Sequence, residues 1–283
     1  MMAGLPVKLS SRATQEFWEI PVLFEDAWLL ALDKPAGLAT SPDRLNPDRP
    51  SLTHLLHEAI ARGAAWTAGR SLDYLANAHR LEAETSGALL LARDRSTLIA
   101  LANQFSAGQP VQKALALVQG TPPAETWETD AKLAPHPTRP GVVRVDPRRG
   151  KKSKTQFAVI ERFAGYTLVR CVPLIGRPQQ VQVHLRHCGL PVVGDALYGG
   201  RPLLLSRLKP GYRFKAEVLE RPLMGRVALH VEQLDLVHPG TGAALTITTP
   251  LPKDFQVSLK YLRRYAPGLP AASAGEPPAM PGV

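Results

Sequence analysis

Apolar residues along this chain fall into short blocks more often than into long helical stripes. Trp28 to Leu32 is one such block, closed by Asp33-Lys34-Pro35-Ala36-Gly37, and predicts a buried strand entering a turn. Ser51 is then a suitable N-cap, and Leu52, Leu55, Leu56, Ala59 and Ile60 share one face of a predicted helix. Ala88 to Ala92 predicts a second buried strand, with Leu98, Leu101, Ala102 and Phe105 on one face of the helix that follows. β-type runs recur at Leu115 to Val118, Val142 to Val145, Phe157 to Ile160, Thr167 to Val172, Val227 to Leu236 and Ala244 to Thr248. Val181, Leu185 and Cys188 have the spacing of a buried helix face. Strands outnumber helices and often succeed one another directly, so the expected class is α+β: a mixed, largely antiparallel sheet with flanking helices.

No internal repeat or long linker interrupts this pattern, which predicts one domain over residues 20–265 behind an N-terminal extension, 1–19. Residues 266–283 hold five prolines and three glycines without apolar periodicity and are expected to form a disordered tail.

Composition adds a constraint on partners. Lysine plus arginine number 34 against 24 acids, a net charge of +10, which suits a polyanion such as nucleic acid and equally a basic enzyme surface. Two cysteines, Cys171 and Cys188, exclude a disulfide scaffold and a cysteine-rich zinc site, and fit a reducing, cytoplasmic setting. No run approaches the roughly 18 apolar residues of a membrane span, and the N-terminus lacks the apolar core of a signal peptide, so no membrane association is expected.

The candidate chemistry sits in a polar loop between strand-like runs, Asn77-Ala78-His79-Arg80-Leu81-Glu82-Ala83-Glu84-Thr85-Ser86-Gly87. Glu82 and Glu84 could form an acid/base pair, although two nearby glutamates are more often solvated loop charges. His79 could act as a base, yet no nucleophile is tied to it in sequence. His79, His184, His187 and His230 show no metal-ligand spacing, and no metal site is expected.

Taken together, the loop resembles the signature His-Arg-Leu-Asp-x-x-Thr-Ser-Gly of the RluA-type RNA pseudouridine synthases. Four further segments agree in order. Phe24-Glu25-Asp26 through Asp33-Lys34-Pro35-Ala36-Gly37-Leu38 is similar to the family's first strand and turn. Gly189-Leu190-Pro191-Val192-Val193-Gly194-Asp195-Ala196-Leu197-Tyr198-Gly199 resembles its Gly-x-Pro-x-x-Gly-Asp-x-x-Tyr-Gly segment. Ala228-Leu229-His230 to His238-Pro239 and Pro250-Leu251-Pro252-Lys253-Asp254-Phe255 resemble its closing strands. The resemblance implies isomerisation of uridine to pseudouridine in RNA: the base is flipped out, its bond to ribose is broken, and it is rejoined through carbon 5. It implies no metal or organic cofactor. The family often carries a small RNA-binding module ahead of this domain, and the residues before the first predicted strand are too few to hold one.

Five family positions differ here: Pro178 and Gln179 stand for a threonine and a histidine of the third motif, and three more fall on the acid and its neighbours. Glu82 stands for the motif aspartate and is the candidate catalytic residue. Ala114 stands for a tyrosine in Ala114-Leu115-Ala116-Leu117-Val118-Gln119-Gly120, and Gln182 for the arginine that pairs with the aspartate in Ile175-Gly176-Arg177-Pro178-Gln179-Gln180-Val181-Gln182-Val183-His184. Two readings stay open: a re-tuned synthase, and a catalytically silent RNA-binding protein on the same fold. Candidate RNA contacts are His79, Arg80, Thr85, Arg177 and Gln182 from the motifs, together with the basic run Arg148, Arg149, Lys151, Lys152 and Lys154. Lys34 reads as a structural or rim residue. The expected partner is structured RNA, ribosomal or transfer, bound by a monomer.

Overall fold

A computed structural model of the chain describes residues 5–43, 45–212 and 219–268. The chain opens with a hairpin of β1 (Val7–Ser10) and β2 (Phe17–Ile20), followed by β3 (Val22–Glu25) and β4 (Leu29–Lys34). Helices α1 (Leu52–Ala61) and α2 (Ala65–Ala68) precede β5 (Ala76–Asn77), β6 (Ser86–Ala92) and α3 (Arg95–Ser106). Strands β7 (Val111–Gln119), β8 (Thr126–Thr129), β9 (Leu133–Pro135), β10 (Val143–Val145), β11 (Thr155–Phe163) and β12 (Tyr166–Pro173) then follow without an intervening helix. Helix α4 (Gln180–His187), a 3-10 turn at Ala196–Tyr198 and α5 (Leu205–Leu208) lead to β13 (Leu229–Val237), β14 (Ala244–Thr248) and α6 (Lys253–Tyr265).

One sheet organises the domain, with strand order β3-β4-β6-β13-β7-β12-β11-β8; β5 joins it through β6 and β14 through β13. Its pairings are antiparallel except for β6 with β13, which run parallel through His230↔Ser86 and Val231↔Gly87. The fold is therefore α+β with a mixed, largely antiparallel sheet and flanking helices. Every residue of β6 is buried, which explains why Ala88 to Ala92 within it is an unbroken apolar run instead of an alternating one. Edge strand β8 alternates between exposed and half-buried positions, as an edge facing water should.

Two elements depart from the sequence reading. Val7 and Leu9, ahead of residue 20, are fully buried and belong to the same core as β4 and β6, because the β1–β2 hairpin turns its alternate residues inward. The segment from Pro250, read with the closing strands, enters helix α6 at Lys253, where Phe255, Leu259 and Leu262 share the buried face at i, i+4 and i+7. Val142 to Val145 yields a strand as expected, but β10 pairs only with β9, in a small separate sheet. Ala266 is buried and Pro267 bridges Phe163; the tail from 269 onward lies outside the described residues.

The parallel contact between β6 and β13 carries a strict steric condition. Gly87 has φ +122°, and a Cβ there would lie 2.2 Å from the carbonyl oxygen of Val231. Gly87→Ala therefore has to part the two central strands. We expect it to cost about 1–3 kcal/mol and to lower Tm by several degrees in a thermal melt.

Candidate functional site

The signature loop is held by the turn that follows β4. Lys34 is fully buried, and its ammonium donates to three carbonyls: Pro35 at 2.8 Å, Leu38 at 2.7 Å and Ala83 at 3.2 Å. The same Ala83 carbonyl accepts from the Gly37 N–H at 2.9 Å. Thr40 adds a reciprocal pair with Leu81, its hydroxyl donating to the Leu81 carbonyl at 2.8 Å and accepting the Leu81 N–H at 3.2 Å. Arg49 closes the arrangement by donating to the Glu84 carboxylate at 2.9 Å and to the Gly37 carbonyl at 3.1 Å. Residues 81–84 are thus fixed from one side before any side chain of the loop is considered. Lys34 is an anchor and not a rim residue.

Glu82 projects from this fixed backbone towards the start of α4. Its carboxylate accepts the Gln179 N–H at 3.3 Å, and among the described residues no cationic side chain comes within 4.0 Å of it. Burial pushes the Glu82 carboxyl above its ordinary pKa; the Gln179 bond and the charges of Lys34 and Arg80 oppose the shift without cancelling it. Gln179 itself has a left-handed backbone, φ +55°, which lets its N–H face Glu82 while the chain enters the helix. Its side chain reaches the other way: the amide donates to the Gly141 carbonyl at 2.9 Å, and its oxygen accepts the Val143 N–H at 3.2 Å and the Tyr198 hydroxyl. Tyr198 is brought there by the 3-10 turn, which Asp195 caps by accepting the Tyr198 N–H at 3.2 Å. Residue type alone did not mark Gln179 as a positioning group. Its place in the third motif was the available signal.

The remaining motif residues divide between the cleft and the core. Arg80 is exposed. His79 turns away from Glu82: its Nε2 accepts the Leu90 N–H at 3.1 Å, and its ring stacks on Phe105 at 5.2 Å. Burial pushes its pKa down to about 4, so the ring is neutral. Thr85 is buried, and its N–H closes a turn onto the Glu82 carbonyl at 3.0 Å. Ser86 donates to His230 Nδ1 at 2.9 Å, because Thr249, which gives its own proton to the Val231 carbonyl, accepts from the other ring nitrogen. Gln182 is buried on α4, and among the described residues no hydrogen bond joins its amide to Glu82. Ala114 is buried in β7 opposite Cys171 and Val231.

The basic run forms a tight turn. Asp146 accepts the N–H groups of Arg148 and Arg149 at 3.1 and 2.9 Å, and its carbonyl accepts that of Gly150 at 2.9 Å, so both arginine side chains project outward. Arg148, Arg149, Lys151 and Lys152 are exposed and, among the described residues, unpaired; Lys154 is tied to Glu128 at 2.7 Å. Arg177 donates to the Lys152 carbonyl at 3.3 Å, which joins this turn to the third motif. Beneath it runs a buried chain: Gln180 donates to Thr155 at 2.9 Å, Thr155 to His184 Nδ1 at 2.8 Å, and His184 Nε2 to the Ala131 carbonyl at 2.9 Å. Helix α4 therefore positions Gln179 against Glu82 at its start and supports the cationic turn along its length. Among the described residues no group of three or more His, Cys, Asp or Glu is placed to hold a metal, and no helix is long and apolar enough to cross a membrane.

The family described as RNA pseudouridylate synthase matches residues 29–187. The chain is 35% identical over 246 residues to ribosomal large subunit pseudouridine synthase D of Xanthomonas campestris, covering 86% of this chain and 69% of that protein. It is 33% identical to ribosomal large subunit pseudouridine synthase C of Escherichia coli K12, over 86% of this chain and 70% of that one. Among solved structures, human RNA pseudouridylate synthase domain containing 4 superposes with a TM-score of 0.63 at 23% identity, over 86% of this chain and 92% of the other, which supports the fold. The chain belongs to the RNA pseudouridine synthase family, of the RluA type.

The Lys34 anchor generates a pH-dependent prediction. Burial brings its pKa down from 10.5 to about 7, with the positive charges of Arg226 and Arg49 adding to the drop and Glu84 and Glu82 opposing it. Between those values the unfolded chain holds a proton that the folded chain releases, so folding stability rises with pH across the window and the penalty is complete below it. Lys34→Met abolishes this slope and leaves the Pro35 and Leu38 carbonyls without their donor, while Ala83 keeps the Gly37 N–H. In chemical denaturation the variant is less stable than wild type, and its deficit grows by about 3 kcal/mol between pH 7 and pH 10.

Proposed function

We propose that this protein binds structured ribosomal RNA as a cytoplasmic monomer, across the face formed by the signature loop, Arg177 and the Arg148–Lys152 turn, and that its isomerase chemistry is weak or lost. The observation that carries this reading is the bonding of Glu82: a half-buried carboxylate met by one backbone N–H, with no cation in contact among the described residues.

The family reaction needs an ionised carboxylate at the sugar of a flipped uridine. In the family motif an arginine beside the acid favours that ionised form; here Gln182 offers a neutral amide and burial shifts Glu82 towards its protonated form. The extra methylene of glutamate moves the carboxylate by about 1.5 Å along a loop that Lys34, Gly37 and Thr40 hold in place. Misplacement by roughly 1 Å can cost a hundredfold in rate. Ala114 supplies no ring where the family places a tyrosine, so a flipped base loses an aromatic neighbour.

None of these changes touches the means of binding. Among the described residues Arg148, Arg149, Lys151 and Lys152 stand free on a turn built by Asp146, and Arg80 and Arg177 flank Glu82 and that turn. Each cation that meets a phosphate releases a counterion, which yields affinity without chemistry.

Two measurements test this reading. With ribosomal RNA tritiated at uracil carbon 5, wild type is expected to release no tritium above a protein-free control, whereas the triple variant Glu82→Asp/Ala114→Tyr/Gln182→Arg gains release. Tritium release by wild type that disappears in Glu82→Ala would overturn the silent-site reading. In filter binding, Arg148→Ala/Arg149→Ala weakens RNA affinity at least about tenfold at low salt and reduces the slope of log K against log salt by about 1.5.

A further inference from the structure

Beside the signature loop lies a recess whose lining includes neither Glu82 nor Arg80. It has a volume of about 660 Å³ and opens between the β1–β2 hairpin and the segment 45–50. Trp18, Glu16, Gly37, Asn46, Asp48 and Arg49 are among its lining residues. Trp18 is half-buried, packed on the core on one side, and so presents a fixed aromatic wall. Two lining residues also hold the signature loop: the Gly37 N–H bonds the Ala83 carbonyl at 2.9 Å, and Arg49 bonds Glu84 at 2.9 Å. The recess is thus separated from Glu82 by the next two residues of the chain.

Its chemistry suits a base better than a phosphate. The one cation among the six, Arg49, is already engaged by Glu84, and the two carboxylates would repel an anion. Glu16 accepts from Thr14 at 2.6 Å, and the Asn46 amide donates to Asp43 at 2.9 Å. Asp48 is exposed and has no side-chain partner among the described residues, which leaves an acceptor-only group at the wall of the recess. Guanine is the base whose Watson–Crick edge presents two adjacent donors, N1–H and N2–H, to such a carboxylate; adenine would set its N1 lone pair against it.

We propose that this recess receives an unstacked guanine of the bound RNA, a neighbour of the uridine presented to Glu82, with its ring on Trp18 and its Watson–Crick edge on Asp48. The inference rests on the RNA-binding reading above. It also gives the N-terminal hairpin a role in recognition, since Trp18 is carried by β2.

Fluorescein-labelled stem–loop RNAs test it, one with a loop of alternating uridine and guanosine, the other with adenosine in place of each guanosine. Wild type should prefer the guanosine loop by at least about fivefold, with tryptophan fluorescence quenched on binding. Trp18→Ala should weaken binding of the guanosine loop by about tenfold, while Trp18→Phe, which keeps a stacking face, stays within about twofold of wild type. Asp48→Asn should erase the preference between the loops. Equal wild-type affinity for both loops, or unchanged binding by Trp18→Ala in a preparation whose binding still falls in Arg148→Ala/Arg149→Ala, overturns the guanine site and leaves RNA binding standing. Absence of wild-type binding to either loop overturns both.

Discussion

A single ammonium group buried among carbonyls sets the position of everything at this site. Lys34 leaves β4 at the point where the strand must turn, and its three donors are taken up by Pro35, Leu38 and Ala83. Removing a charge from water is costly, and the cost is visible in the lowered pKa of Lys34. The compensation is geometric: one side chain fixes the turn it belongs to and the loop that crosses it. Glu82, Arg80 and Glu84 inherit their positions from that crossing. A site built in this way resists small adjustments, because the backbone between residues 81 and 84 is bonded at each end. A longer acid placed at residue 82 therefore cannot be drawn back by sliding the loop.

The opposing wall is built on a different principle. Helix α4 is short and almost wholly buried, and it carries polar side chains where an ordinary core helix carries apolar ones. Gln180, Thr155 and His184 are linked in a chain of hydrogen bonds that ends on the Ala131 carbonyl, although the buried Gln180 side-chain oxygen has no partner among the described residues. This chain fixes α4 relative to β11 and to the turn that bears Arg148 and Arg149. Gln179, at the head of the same helix, links Glu82 to Tyr198 and Gly141. The acid and the cationic turn are therefore positioned by one element.

Much of the fold was legible because its central strands are unbroken apolar runs: Ala88 to Ala92 and Leu115 to Val118 correspond to β6 and β7. The β1–β2 hairpin was not, since four residues of alternation in Val7-Lys8-Leu9-Ser10 are too short a signal against loop composition. Helix α6 was hidden because the segment from Pro250 was read with the closing strands, although a proline just ahead of Lys253 is well suited to the start of a helix. Within the site, the resemblance located Glu82, Arg80 and Gln182, but side-chain direction lies beyond sequence. His79 shares a loop with Arg80 and faces the core, because a stack on Phe105 and a bond from Leu90 draw it inward. Nor does a lysine in a Lys-Pro turn announce complete burial, because lysine is seldom buried without partners that only the folded chain supplies.

The proposed separation of binding from chemistry has a physical basis in where the charges lie. Affinity for a polyanion depends on cations that remain solvated and free until phosphate arrives, and Arg148, Arg149, Lys151 and Lys152 meet that condition on a turn whose acid, Asp146, is used up in holding the backbone and Arg144. Isomerisation depends on a charge in the reverse situation: a carboxylate partly withdrawn from water, whose ionised form must be favoured by something close at hand. One backbone N–H at 3.3 Å is a weak substitute for a guanidinium, since it contributes only a dipole, and together with the charges of Lys34 and Arg80 it opposes the desolvation of Glu82 without cancelling it. The same scaffold can therefore keep its hold on RNA when the acid loses its counter-charge, because the two tasks draw on different charges under opposite conditions of solvation.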